Sequence, residues 1–131
     1  MPRSRTLAIL LVLYGIASLV HFVHNAELIA DYPGMPASWA REHVYLAWIA
    51  MTLVGVAGWL LTSRGFFVSG ALVLVAYAAL GLDSLGHYLL APLSAHTLGM
   101  NVTILTEVTA AGLVLVEVAR QMVCRGTGRA S

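Results

Sequence analysis

The stretch His21–Glu27, with the sequence HFVHNAE, places three ionisable side chains inside a segment that is otherwise mainly apolar from residue 6 to residue 30. An ionisable side chain in the hydrocarbon of a membrane costs at least about 2.5 kcal/mol, and such groups usually face the interior of a helix bundle or a wet cavity. The stretch therefore predicts a membrane-spanning helix that contributes to a polar site.

The composition of the chain predicts an integral membrane protein with a single domain, residues 1–131. Of its 131 residues, 60% are hydrophobic and 10% are charged, which is typical of membrane proteins. A membrane span needs about 20 apolar residues, so the length allows four spans and no additional soluble domain. The net charge of +1, with the arginines spread along the chain, argues against nucleic acid as a partner. The single cysteine, Cys124, excludes an intrachain disulfide and a thiolate metal cluster.

Breaks in the apolar pattern divide the chain into four predicted transmembrane helices, which we expect to form an antiparallel four-helix bundle. Pro33 and Gly34 end the first helix, Pro92 ends or bends the third, and a tight turn at 62–65 joins the second to the third. Arg3 and Arg5 followed by apolar residues also resemble a cleaved signal peptide, but the apolar run continues through Val23 and favours a retained span. The predicted spans are 6–30, 44–61, 66–90 and 101–123, followed by a basic tail, 124–131.

The arginines predict the orientation of the bundle. Six of the seven fall at one side of the four-span model: Arg3, Arg5, Arg64, Arg120, Arg125 and Arg129. Because basic residues are enriched in cytoplasmic segments, both termini are predicted to be cytoplasmic, in a bacterial inner membrane or an equivalent membrane. The five histidines and the carboxylates Glu27, Asp83 and Glu107 then lie toward the extracytoplasmic side.

Histidines and carboxylates recur at helical spacing in three of the predicted spans and form a candidate metal site. His24 and Glu27 are three residues apart, and Asp83 and His87 are four apart, so each pair can share a helix face. Imidazole and carboxylate ligands together suit zinc, iron, manganese or copper(II). The preferred ligands are His24, Glu27, Asp83, His87 and Glu107. The second-tier candidates, as ligands, orienting groups or a proton route, are His21, His43 and His96.

Four functions remain open from these residues. The first is a metal-dependent oxidoreductase or hydrolase that acts on a lipid-soluble substrate. The second is a haem or quinone module for electron transfer, in which His24 and His87 are the natural axial pair for a haem. The third is a protein that binds or isomerises a sterol-like apolar molecule, and the fourth is an accessory or assembly subunit whose polar groups fix helix packing. The sequence does not identify the substrate, the metal or the oligomeric state.

Overall fold

The computed structural model describes residues 5–128, and all regular structure among them is helical. The helices are α1 (Arg5–Glu27), α2 (Arg41–Ser63), α3 (Phe67–Leu82), α4 (His87–Leu90) and α5 (Leu98–Thr127). Short 3-10 turns occupy Ile29–Asp31, Asp83–Gly86 and Leu93–Ala95. The turn at Asp83–Gly86 joins α3 to α4, so that Phe67–Leu90 forms one interrupted span.

Four helical segments are long and apolar enough to cross a membrane: Arg5–Glu27, Arg41–Ser63, Phe67–Leu90 and Leu98–Thr127. Large apolar side chains are exposed on the outside of each segment, for example Val12, Leu53, Leu72 and Val116. Exposed apolar residues on all four helices are what contact with lipid requires. The prediction of an all-α chain with four helices of membrane-spanning length is confirmed, and the four helices indicate a multi-pass membrane protein.

The four segments form a closed bundle in which neighbours in the ring run antiparallel. Segment α1 packs against α2 and α5, and α3 packs against the same two helices. The start of α1, the end of α5 and the turn 64–66 lie at one end of the bundle, which we call the terminal end. The connections 28–40 and 91–97 lie at the other end, which we call the loop end.

Glycines bring α2 and α3 close together toward the terminal end. A Cβ atom added at Gly58 would come within 2.8 Å of the Leu74 side chain, and one added at Gly70 would come within 2.6 Å of the Thr62 backbone nitrogen. Small residues of this kind let two membrane helices approach to backbone contact. The two helices are therefore held tightly at this end, and their residues toward the loop end line a cavity.

The helix bounds differ from the sequence prediction in three of the spans, and α2 runs over Arg41–Ser63 instead of 44–61. Helix α1 stops at Glu27 instead of residue 30, because the chain tightens into the 3-10 turn Ile29–Asp31. Helix α5 starts at Leu98 instead of residue 101, because the Thr97 hydroxyl accepts a hydrogen bond from the Met100 backbone nitrogen (3.3 Å) and caps the helix. It continues to Thr127, so part of the predicted tail 124–131 is helical, and residues 129–131 lie outside the described residues.

Candidate functional site

A stripe of buried polar side chains runs along α1 from the middle of the bundle to the loop end. Its members are Tyr14, Ser18, His21 and Asn25, each three or four residues from the next, which places them on one face of the helix. Their exposed fractions are 0, 0, 1 and 7%. The α1 face that packs inside the bundle is therefore polar over about three turns, and it provides the first wall of the site.

Glu107 on α5 meets this stripe at the centre of the loop-end half. Its side chain is fully buried, and its Oε2 accepts a hydrogen bond of 2.6 Å from the Ser84 hydroxyl. His21 Nε2 lies 3.7 Å from the same oxygen, and His21 Nδ1 lies 3.3 Å from the Thr103 hydroxyl. An imidazole and a carboxyl group at this separation can exchange a proton after a small movement of either side chain.

His87 extends the network from His21 toward the loop end. Its ring centroid lies 5.5 Å from that of His21 and 6.2 Å from that of His96, with near-perpendicular planes in both pairs. The Asn25 amide nitrogen donates to His87 Nε2 over 3.2 Å. The three imidazoles and Glu107 thus follow one another from the loop end into the bundle.

Tyr32, in the connection that follows α1, closes the network on the loop side. Its side chain is 3% exposed, and its hydroxyl lies 2.9 Å from His24 Nδ1. Burial raises the pKa of the Tyr32 hydroxyl to about 12. Its ring contacts both His24 and His87, at centroid distances of 5.9 and 5.1 Å. Tyr32 therefore stands next to both imidazoles that the haem alternative pairs as axial ligands.

The five preferred metal ligands do not meet at one point. His87 and Glu107 belong to the network around His21, whereas His24 faces Tyr32 and Asp83 is exposed. Glu27 lies at the surface, where its Oε1 pairs with Arg41 Nη2 (2.8 Å) and accepts from the Tyr45 hydroxyl (2.6 Å). Within residues 5–128 no three His, Cys, Asp or Glu side chains are placed so that they could hold a metal ion.

The second-tier histidines also divide between different roles. His21 and His96 are buried, and both lie in the series of imidazoles described above. His43 lies apart, at the start of α2, where its Nδ1 accepts a hydrogen bond from the Ala40 backbone nitrogen (3.1 Å) and caps the helix.

Four residues of the network were not among the sequence candidates: Ser18, Asn25, Tyr32 and Ser84. Ser18 and Asn25 could have been found from the α1 pattern, because they lie three and four residues from His21 on the same face. Nothing in the pattern pointed to Tyr32, because its burial depends on how the connection 28–40 folds back onto the bundle.

A cavity of about 250 Å³ lies beside this network, between α1, α2 and the α3–α4 span. One wall is polar and consists of His21, Asn25, Asp83, Ser84 and His87. The opposite wall is mainly apolar and includes Phe22, Met35, Trp39, Val44, Ala47, Met51 and Leu80. Leu80, Asp83 and Trp39 are exposed, so they mark a mouth on the α2–α3 side. The cavity is thus open at one side and joins polar and apolar surfaces.

Two buried polar atoms on the residues of this wall lack a hydrogen-bond partner among the described residues: Asn25 Oδ1 and His87 Nδ1. A buried polar atom without a partner costs about 1–3 kcal/mol, and most such atoms in proteins are satisfied by a partner or by water. The wall therefore has unused hydrogen-bonding capacity next to an open volume.

No family model, curated protein or solved structure matches this chain. The function must accordingly be argued from the site itself.

Proposed function

We propose that this protein binds a small amphiphilic molecule from the membrane in the loop-end cavity. The observation that carries the proposal is the pair of unpartnered buried atoms, Asn25 Oδ1 and His87 Nδ1, on residues that line the cavity. The metal-dependent enzyme that the sequence favoured receives less support, because its preferred ligands lie in separate places.

The hydrogen bonding of the pair favours a hydroxyl-like group on the ligand. With the Asn25 amide nitrogen donating to His87 Nε2, the free atoms are an N–H donor on the ring and a carbonyl acceptor on the amide. Exchanging the two amide atoms and the ring tautomer again leaves one free donor and one free acceptor. A ligand group that both donates and accepts can satisfy both atoms in either case.

The size and lining of the cavity favour a compact ligand with an apolar body. A protein cavity of about 150 Å³ can hold benzene, so a volume of about 250 Å³ can hold a substituted aromatic ring. Phe22, Met35 and Met51 provide an apolar surface for such a body. A molecule of sterol size would need more room than this cavity offers.

The position of the mouth favours entry from the membrane. Leu80 is an exposed apolar residue on the cavity wall, and the mouth opens beside it on the flank of the bundle. The arginine distribution supports cytoplasmic termini, which would place this mouth in the extracytoplasmic leaflet. His21 and His87 on the wall would then exchange a proton with a bound ligand, and Glu107 stands behind His21 as the next proton acceptor.

Calorimetric binding of matched neutral probes to the protein in lipid nanodiscs tests the proposal. We expect 3-tert-butylphenol to bind roughly tenfold more tightly than tert-butylbenzene, because only the phenol offers a group for Asn25 and His87. Heat measured with empty nanodiscs corrects for partition of each probe into lipid.

Two variants on the same helix show whether the phenol binds in the cavity. Ala47 lines the cavity, so Ala47→Phe should fill it and abolish binding. Ala50 is exposed and lies outside the cavity, so Ala50→Phe should bind the phenol as the unmodified protein does. Equal binding by both variants would show that the probe binds elsewhere. Failure of the folded, unmodified protein to bind either probe would leave the polar network with the packing role of an accessory subunit.

A further inference from the structure

We infer that the ligand of the loop-end cavity carries a positively charged nitrogen, which lies at the mouth against Asp83. This inference rests on the proposed function and adds the chemical class of the ligand: an ammonium group on a compact apolar body that bears a hydroxyl.

The first observation is that Asp83 is a carboxylate without a counter-ion. It is exposed at the mouth of the cavity, and within residues 5–128 no arginine or histidine nitrogen lies within ion-pair distance of it. Three other carboxylates of the spans have such partners, since Glu27 pairs with Arg41, Glu107 with His21 and Glu117 with Arg120. Asp83 is therefore the carboxylate on the cavity wall that remains available to a cation from outside the chain.

The location of Asp83 within the span favours the pairing of its carboxylate with a cation. Asp83 lies seven residues before the end of the span Phe67–Leu90, and exposed apolar residues such as Leu80 and Leu85 flank it. A carboxylate at this depth loses much of its hydration, and a charge in that position is usually paired. The charge of Asp83 acts on the neighbouring His87, but the His87 ring packs inward among Tyr32, His21 and His96 and forms no ion pair with Asp83.

The second observation is the buried acceptor deeper in the same cavity. Asn25 is 7% exposed, it lines the cavity, and its Oδ1 has no partner among the described residues. An acceptor of this kind indicates that the cavity is built for a ligand, independently of the charge at its mouth. The ligand then places a hydroxyl at Asn25 and its positive charge toward Asp83.

The remaining surface of the cavity suits a cation and carries no lysine or arginine for an anion. The residues that line it include no arginine, and the chain contains no lysine. Trp39 is 44% exposed at the mouth, and Phe22 lies on the wall, so aromatic faces are available to an ammonium group. The charge of the wall and its aromatic residues thus favour the same class of ligand.

A pair of probes that differ only in charge tests this inference. The compound (3-hydroxyphenyl)trimethylammonium has the shape of 3-tert-butylphenol, with a positive nitrogen in place of the quaternary carbon. In nanodiscs of phosphatidylglycerol, after subtraction of empty-nanodisc heat, we expect the ammonium probe to bind at least about tenfold more tightly than the neutral phenol. Asp83→Asn should abolish this preference and leave the affinity for the neutral phenol unchanged.

Asp31→Asn provides the matched control. Asp31 is the other aspartate of the chain; it is exposed in the first connection and does not line the cavity. This variant should retain the full preference for the ammonium probe. An equal loss of preference in Asp31→Asn and Asp83→Asn would show that general surface charge causes it, and would overturn the inference.

The outcomes separate the inference from the proposed function. If the neutral phenol binds as tightly as the ammonium probe, the inference is overturned and the proposed function stands. If neither probe binds, the proposed function fails, and the inference fails with it. Repeating the titration in phosphatidylethanolamine nanodiscs identifies the natural source of the ammonium group. Weaker binding of the neutral phenol there, which the surface charge of the membrane does not affect, indicates competition by a lipid headgroup, and unchanged binding of the phenol indicates a free amine.

Discussion

The loop-end and terminal-end halves of the bundle differ in the kind of side chain that they bury. The loop-end half buries Ser18, His21, Asn25, Ser84 and Glu107, and it contains the cavity and the 3-10 interruption of the third span. In the terminal-end half the core is mainly apolar, and its buried carboxylate, Glu117, is paired with Arg120. Its buried apolar side chains include Leu7, Leu74, Val114 and Val118, and α2 and α3 meet there through glycines.

The difference separates the half in which glycine contacts hold two helices together from the half in which we propose that a ligand binds. Close packing at glycine contacts depends on shape alone and tolerates little change. Buried polar groups with unused hydrogen-bonding capacity cost stability, and the described residues retain two such atoms, Asn25 Oδ1 and His87 Nδ1, on the wall of the loop-end cavity. The polar stripe ends at Tyr14, whose hydroxyl donates to the Tyr77 carbonyl oxygen over 2.9 Å. The site therefore reaches the middle of the bundle from the loop end and stops there.

The largest expected effect concerns the terminal end. Gly70→Ala should lower the free energy of unfolding by about 3 kcal/mol, because the new Cβ would meet the Thr62 backbone nitrogen at 2.6 Å and the Gly58 carbonyl oxygen at 2.9 Å. Backbone atoms on both sides prevent an easy adjustment. Denaturant unfolding in mild detergent measures the loss.

Gly112→Ala is the control for this change. Gly112 is also inside a helix, but a Cβ added there meets nothing within 4 Å. The stability of the Gly112→Ala variant should remain within about 0.5 kcal/mol of that of the unmodified protein. Equal stability of the two variants would contradict the view that glycine contacts hold the terminal end together.

A smaller loss is expected at the centre of the polar network. Glu107→Leu should destabilise the protein by about 2 kcal/mol, because it leaves the buried Ser84 hydroxyl without its acceptor. Glu107→Gln keeps an amide oxygen at that position, so its loss of stability should be less than half that of Glu107→Leu. Unfolding of both variants by the same denaturant provides the comparison. If Glu107→Leu were as stable as the unmodified protein, the polar contacts would not hold the loop-end half in this arrangement.

Tyr32→Phe should cost about 1 kcal/mol at neutral pH, because it removes the hydrogen bond between the Tyr32 hydroxyl and His24. The cost also depends on pH. Since folding raises the pKa of Tyr32 from about 10 to about 12, the unfolded chain releases the proton first as the pH rises. The stability that the hydroxyl contributes is complete below pH 10 and is lost progressively as the pH approaches 12.

Melting temperatures of the two proteins from pH 8 to pH 12 measure this dependence. The unmodified protein should lose stability more steeply than Tyr32→Phe above pH 10, so the difference between them should shrink. A constant difference over the whole range would mean that Tyr32 is accessible to water in the folded protein.

Sequence patterns predicted the bounds of the spans well, but they predicted poorly which side chains contact each other in the site. The predicted third span, 66–90, nearly matches Phe67–Leu90, because hydrophobic length alone sets it. The site depends on how each helix is rotated, which a single helix does not reveal. Successive residues are about 100° apart, so Glu27 is displaced by about 60° from His24 around α1. That displacement is enough to put Glu27 on the surface with Arg41 while His24 faces Tyr32.

Asp83 and His87 on the third span also show that the sequence does not reveal which way a side chain faces. Four residues separate them, and the 3-10 turn Asp83–Gly86 changes the winding between them. His87 consequently enters the polar network, and Asp83 stays exposed at the mouth of the cavity. The sequence could name the residue types of the site, but the interruption that separates these two side chains is a property of the folded bundle.

Added metal is expected to change the stability of the protein least. The experiment tests whether the histidines of the loop end form a metal centre or a hydrogen-bonding network. A ligand present at 100 times its dissociation constant stabilises a folded protein by about 2.7 kcal/mol. Because Glu27 is engaged by Arg41 and His24 by Tyr32, we expect the unfolding curve in excess zinc, iron(II), manganese or copper(II) to coincide with that in a chelator. A rise in stability with one of these metals that disappears in His87→Ala, but persists in His43→Ala, would instead show that the network rearranges around an ion. His43 is the matched control because it caps α2 away from the network, so its loss removes an imidazole without touching the site.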